Sequence, residues 1–240
     1  MQSKQASLPT KTLQHKNWGI RYAEYYFPYS SPKLSDFSPQ NPALKALPVV
    51  KGGRQAAWFI RVANEQPAVL RQYRRGGLVA RILTDQYLWL GEAHTRSWQE
   101  FNVMAYLYTH GVSVPYPIAA LWTRCFIYYR AALITERIPG ARTLAGVLKQ
   151  DYILPVAKAI KHMHDVGVYH ADLNATNILI DDKDAVWLID FDRARYLEEL
   201  RFANYKNNLY RLRRSLLKLK GREGRLWFEQ LLSAYQRLSM

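Results

Sequence analysis

The chain has 240 residues, enough to bury a full core and to form one domain or one enzyme of two lobes. A hydrophobic share of 49% and a charged share of 22%, with 17 Tyr and 7 Trp, exclude a disordered or low-complexity protein. A formal charge of +15, from 34 Lys and Arg against 19 Asp and Glu, favours polyanionic partners: nucleic acid, nucleotide phosphates or an anionic membrane face.

Residues 1–48 carry Pro28, Pro32, Pro39, Pro42 and Pro48, which break long elements, and read as an irregular arm anchored by Trp18, Tyr22 and Phe27. The first residues hold no apolar core of a signal peptide, and no stretch reaches the length of a membrane span. A reducing, cytosolic protein is expected, with any membrane contact peripheral. From Val49 the pattern turns to strands: "VV" and "AAWFIRV" around the glycine turn "KGGRQ", then "PAVLRQY". The segment "TRSWQEFNVMAYLYTHG" has Phe101, Met104, Leu107 and Tyr108 at helical spacing and a stop at Gly111. "YPIAALW" and "CFIYYRAALITERI" read as two further strands. Cys125, the only cysteine, lies in the apolar run Arg124 to Tyr129 and is expected to be a buried, inert thiol. "TLAGVLKQ" and "LPVAKAIKHMHDVG" read as helices. The short strands "NILID" and "AVWLID" follow, joined by "DDKD", and a basic helical tail runs from about Arg195 to the end. The fold class is α+β.

Chemistry concentrates in "HADLNATNILI", His170 to Ile180. Asp172 and Asn177 precede the first strand of the "DDKD" hairpin, and Asp190 ends its second strand, 18 residues after Asp172 and 13 after Asn177. The hairpin brings Asn177, at its entry, towards Asp190, at its exit. Two carboxylates and one amide gathered in this way suit phosphoryl transfer. One carboxylate orients the attacking hydroxyl and accepts its proton, while the amide oxygen and the other carboxylate hold Mg²⁺ on nucleotide phosphates. A single Asp in a turn is more often a cap or a solvated side chain; the ordered set carries the signal.

The set resembles the protein-kinase pattern H-x-D-x-x-x-x-N followed by D-F-x, matched in order by His170, Asp172, Asn177, Asp190 and Phe191. His170 and Phe191 are expected to be supports for the neighbouring Asp residues. The resemblance implies a bilobal kinase-like fold: an N-lobe of antiparallel sheet plus one helix over residues 49–138, and a reduced, mainly helical C-lobe over 139–240. It puts Gly52 and Gly53 where a glycine-rich phosphate cover belongs, although a double glycine in a hairpin is usually only a turn. It puts Arg71 where a lysine is expected. Alternation sets Val69 and Arg71 on one face, but the guanidinium fork is wider than an ammonium, and Lys51 or Arg54 is an alternative cation. Glu100 is the implied ion-pair partner, the other reading being a solvated Glu on a helix face. The backbone of Thr135, Glu136, Arg137 and Ile138 would form the hinge that receives an adenine.

Only 48 residues follow Asp192, no A-P-E motif is present, and the metal motif reads D-F-D, so a small-molecule, sugar or lipid kinase is expected. "VLRQYRRGGL", "GVSVPYPIAA", "TERIPGARTL", "HADLNATNILI" and "IDFDRAR" together resemble the 3-deoxy-D-manno-octulosonic acid (Kdo) kinases of Gram-negative bacteria, relatives of the lipopolysaccharide heptose kinases, over about residues 50–215. This resemblance implies ATP and Mg²⁺ and a Kdo sugar, phosphorylated at its 4-hydroxyl, on a lipid A precursor. It implies work at the cytoplasmic face of the inner membrane, with no nucleic acid and no obligate protein partner. Arg74 and Arg75 either hold substrate anions or solvate a loop; Asp192 and Arg193 are further candidate substrate contacts. The tail "YKNNLYRLRRSLLKLKGREGRLWFEQLL" suits an anionic surface, but equally a helix that turns its leucines inward. A heptose kinase and a nucleotide-binding pseudokinase scaffold, the latter kept open by Arg71, are the rival readings. A cationic-drug phosphotransferase fits the basic charge poorly, and a nucleic-acid binder leaves the hairpin constellation unexplained.

Overall fold

The computed structural model describes residues 8–49, 57–74, 85–196 and 202–238. The chain divides into two compact units, residues 1–105 with 116–137 and residues 106–115 with 138–240. The class is α+β. Among the described residues no helix is long and apolar enough to cross a membrane.

The first unit is built on an antiparallel sheet. Its strands are β1 (Thr10–His15), β2 (Trp18–Ala23), β3 (Leu47–Pro48), β4 (Ala57–Val62), β5 (Gln66–Gln72), β6 (Tyr87–Leu88), β7 (Pro117–Cys125) and β8 (Tyr128–Glu136), in the spatial order β1-β2-β7-β8-β5-β4-β3 with β6 paired to β8. One face buries Ile20, Tyr22, Trp58, Ile60, Leu70, Ile118 and Ile134 together with Phe37 and Leu44. Helix α1 (Arg96–Thr109) ends where Gly111 takes a positive φ of 75°. Its first turns lie against β7: Ser97 Oγ donates to Leu121 O at 2.8 Å, and the Trp98 and Trp122 rings meet edge to face.

Two expectations fail in this unit. Residues 10–23 are not an irregular arm; they form a β-hairpin that extends the sheet, because β2 pairs with β7 and buries Ile20, Tyr22 and Ala23. Cys125 is exposed, not buried. The apolar run that surrounds it turns at Phe126 and Ile127, with Phe126 at φ 53° and 87% exposed, so these two residues mark no core.

The second unit holds β9 (Arg142–Thr143), α2 (Ile153–Asp165), β10 (Val168–Tyr169), β11 (Ile178–Ile180), β12 (Val186–Leu188), β13 (Arg195–Tyr196) and α3 (Phe202–Arg237). Strands order as β12-β11-β9, and β10 pairs with β13. Helix α2 buries Ile153, Val156, Ala157, Ile160, Met163 and His164, one face at 3.6-residue spacing. From α3, Leu209, Leu212, Leu216, Trp227, Phe228 and Leu231 are buried. The tail is therefore helical, but it starts at Phe202 and breaks at Gly221, whose φ of 54° and ψ of −130° only glycine adopts readily. A Cβ on Gly224 would lie 2.3 Å from the Leu216 carbonyl oxygen.

"TLAGVLKQ" is not an α-helix. It holds the single turn Leu144–Gly146 and the start of another, Gln150–Tyr152. Thr143 is already paired with Leu179 of β11, and its hydroxyl oxygen accepts from Gly146 N at 3.2 Å, which closes the turn after one residue cycle.

Candidate active site

The loop from His170 to Asn177 is fixed by its own polar groups. Ala171 sits at φ 60°, which folds Asp172 N back to within 2.8 Å of His170 O and 3.3 Å of His170 Nδ1. Nδ1 therefore accepts, the ring proton is on Nε2, and Nε2 donates to Ile189 O at 3.0 Å. A fully buried, neutral imidazole thus ties the loop to the chain just before Asp190, with burial pushing its pKa down. Phe191 is also fully buried, its ring 4.6 Å from that of His170. His170 and Phe191 thus pack together, with His170 bonded to the backbone of Asp172 and of Ile189.

Asn174 organises the rest of the loop. Its Oδ1 accepts from Thr176 N (2.8 Å), Thr176 Oγ1 (2.5 Å) and Asn177 N (3.1 Å), while its Nδ2 donates to Asp172 O at 3.1 Å. Asn177 Nδ2 donates to the same carbonyl at 3.0 Å and reaches Asp190 Oδ2 at 3.5 Å. Since a carbonyl can only accept, Nδ2 is fixed as the donor end, and Oδ1 is the end left to meet a cation. Ile189 N donates to Asn177 O at 3.0 Å, which closes the hairpin at the predicted mouth. Asp190 takes φ 67°, an uncommon conformation for a residue with a Cβ. At the far end of the hairpin, Asp181 accepts from Trp187, Ala185 and Lys183; these bonds outweigh the opposing effect of burial and hold its carboxyl below the usual range.

Helix α3 supplies groups that the sequence pattern did not single out. Asn208 Oδ1 accepts from His170 N at 3.3 Å, Arg211 Nε donates to Asp172 Oδ1 at 2.7 Å, and Ser215 Oγ accepts from Ala175 N at 3.1 Å. Positions 208, 211 and 215 share one helix face, and they meet loop positions 170, 172 and 175 in order. Asn208 Oδ1 also accepts from His164 Nε2 (3.1 Å), and His164 Nδ1 then accepts from the Tyr235 hydroxyl (2.8 Å). Burial lowers the His164 pKa to about 4, so this ring too is neutral. A polar stripe spaced i, i+3, i+7 inside a basic tail was the available signal.

In the first unit, Arg71 and Glu100 form an ion pair, and the Tyr73 hydroxyl donates to the same Glu100 oxygen. Glu100 is 1% exposed, so the solvated-helix reading fails. Burial and then the Glu100 charge hold the Tyr73 phenol well above its ordinary pKa. On β5, Ala68 and Leu70 point into the core and Val69 and Arg71 to the other face, as alternation requires.

The remaining candidates are placed less tightly. At the expected hinge, Thr135 is within the β8 ladder, and the N–H groups of Glu136 and Arg137 donate to Tyr116 O (2.9 Å) and Pro67 O (3.2 Å). Burial raises the Glu136 pKa. Ile138 is buried. Arg74 is exposed, with its guanidinium 6.0 Å from the Trp58 ring centre. Asp192 and Arg193 lie in a turn closed by Ala194 N donating to Phe191 O at 2.9 Å. Gly52, Gly53, Arg75, Lys51 and Arg54 lie outside the described residues.

Residues 43–235 match the model of the lipopolysaccharide kinase (Kdo/WaaP) family. A 3-deoxy-D-manno-octulosonic acid kinase of Xylella fastidiosa (strain M12) is 45% identical over 184 residues, covering 74% of this chain and 72% of its own. The protein of the same name from Stenotrophomonas maltophilia (strain K279a) is 48% identical over 189 residues, covering 77% and 75%. That of Xanthomonas campestris pv. campestris (strain B100) is 44% identical over 211 residues, covering 84% and 81%.

Proposed function

The chain belongs to the lipopolysaccharide kinase (Kdo/WaaP) family and is a phosphotransferase, and from that premise we propose that it phosphorylates a Kdo sugar on a lipid A precursor, at the 4-hydroxyl, with ATP as donor. The observation that carries this reading is the hairpin mouth. There Asn177 bonds to the Asp172 carbonyl and reaches Asp190, so the loop carboxylate and the two oxygen donors belong to one rigid piece.

In the proposed reaction the acceptor oxygen bonds to the γ-phosphorus while the bond to the bridging oxygen of the leaving ADP breaks. The hydroxyl proton passes to the Asp172 carboxylate. The Asn177 amide oxygen and the Asp190 carboxylate are hard donors, few in number, and so suit Mg²⁺, which keeps most of its shell for water and phosphate. Bound there, Mg²⁺ would neutralise charge on the nucleotide phosphates. Arg71 takes the role of the strand cation, oriented by Glu100 and Tyr73 in place of the usual lysine geometry. Its ion pair also weighs against the pseudokinase reading, since the supporting carboxylate is buried and engaged. The membrane-borne acceptor suggests a peripheral place at the cytoplasmic face of the inner membrane.

The test is transfer of label from [γ-³²P]ATP, with Mg²⁺, to a Kdo-bearing lipid A precursor. Wild type is expected to label the lipid. Asp172→Ala, with ATP affinity retained, should lose at least about 100-fold in rate, the usual scale of a lost general base. Transfer to a heptose acceptor but not to Kdo would move the assignment to the heptose kinases. ATP binding without transfer to either acceptor would favour a scaffold.

A further inference from the structure

We infer that Arg211 is a positioning residue for this reaction: it holds one oxygen of the Asp172 carboxylate and so leaves the other to take the acceptor proton. The inference rests on the phosphoryl-transfer reading and deepens it. Arg211 Nε donates to Asp172 Oδ1 at 2.7 Å, and among the described residues Oδ2 accepts no hydrogen bond. The two carboxylate oxygens are thereby made unequal, which a base that must present one lone pair requires.

Three further observations favour orientation over simple stabilisation. The pair is partly open to solvent, at 40% and 36% side-chain exposure, and ion pairs so exposed contribute little to folding. The loop "HADLNATN" contains no Lys or Arg of its own, so the cation beside the base comes from a residue 39 positions further on. Asn174, the polar residue best placed within the loop, is occupied by Thr176, Asn177 and the Asp172 carbonyl. The support is also rigid. Leu212 and Leu216 flank Arg211 on α3 and are fully buried, and Asn208 and Ser215 fix the same helix face to His170 and Ala175.

The test is steady-state transfer from ATP to the Kdo-bearing lipid A precursor by the full chain, for wild type, Arg211→Ala, Arg211→Lys, Asp172→Asn and the double variant. Arg211→Ala is expected to lower kcat about 100-fold with KM for ATP within about twofold of wild type, as for loss of an interaction that matters in the transition state. Arg211→Lys should lie between them, and guanidinium ion added to Arg211→Ala should restore part of kcat. On the Asp172→Asn background, Arg211→Ala should cost almost nothing further, because the arginine acts through that carboxylate. A wild-type kcat in Arg211→Ala would overturn the inference, as would a raised kcat, which would make the ion pair an inhibitory contact. Independent, multiplicative losses in the double variant would also overturn it. If Arg211→Ala does not fold, the Arg211→Lys series carries the same cycle. A wild type without turnover on any acceptor removes the function proposal itself, a different failure from an active wild type that is indifferent to Arg211.

Discussion

His164 and His170 are neutral in the fold for the same reason: each is buried, and each has a ring nitrogen that must accept a hydrogen bond, from Tyr235 and from Asp172 N. Unfolded, each would titrate near 6.5. Below that pH the unfolded chain binds more protons than the fold, so stability falls as pH drops, from about 6.5 towards the folded value of about 4 for His164. That residue alone accounts for up to about 3 kcal/mol across the window. Urea unfolding between pH 7 and 4.5 should show the slope, and His164→Gln should flatten it; an unchanged slope would mean that His164 is not buried as a neutral ring. Arg71 is the other residue with a sharp expectation. Arg71→Met removes the arginine paired with the buried Glu100 carboxylate beside Tyr73, so stability should fall by about 3 kcal/mol. Arg71→Lys should keep most of that stability and lose more in KM for ATP, because a point charge cannot copy the fork. The roles proposed for Asp172, Asn177 and Asp190 rest on residue types that sit close in sequence, which is why the spacing could suggest them. Arg211 and Asn208 were not legible, since their partners lie 39 and 38 residues away and a basic helical tail gives every arginine the same appearance.

At the scale of elements, the periodic ones could be read and the brief ones could not. Helix α2 shows six buried residues on one stripe, and β5 alternates cleanly, so both follow from pattern alone. The β1 strand is polar and almost wholly exposed, and the prolines that follow dominated the composition of its segment; only pairing through β2 to β7 makes it a strand. "TLAGVLKQ" has helical composition, but tertiary pairing claims its first residues for β9. The break in α3 falls at Gly221, inside a segment whose basic, leucine-rich pattern is helical on both sides. Gly221→Ala should cost about 1–2 kcal/mol for the positive φ, and Gly224→Ala should cost more, because its methyl meets a backbone carbonyl that has little room to move. Thermal unfolding checks both. Equal, negligible losses would mean that the helix has a straight alternative of similar energy.

For the whole molecule the open question is what the charge is for. Helix α3 carries nine Lys and Arg against two Glu, and on it Leu217, Leu219 and Leu226 are 44%, 48% and 43% exposed while their neighbours Leu216, Trp227 and Phe228 form the core. So the inward-packing reading of the tail holds for one face, and the other offers leucines among cations. The proposed lipid acceptor would meet such a face at an anionic surface. Each Lys or Arg near that surface is worth about 1 kcal/mol, and a half-exposed leucine has roughly 1 kcal/mol of burial still to gain, so the many charges outweigh the few leucines. Sedimentation with vesicles tests the balance. The chain is expected to bind vesicles rich in anionic phospholipid, to ignore neutral ones, and to be released as salt shortens the screening length from about 10 Å to about 3 Å. Leu217→Ser with Leu219→Ser should weaken binding modestly and lower the unfolding temperature by only a few degrees, since neither side chain is in the core. A chain that stays in the supernatant at low salt would leave the +15 charge to serve the soluble substrates alone, and the acceptor would then have to reach the enzyme without a surface to share.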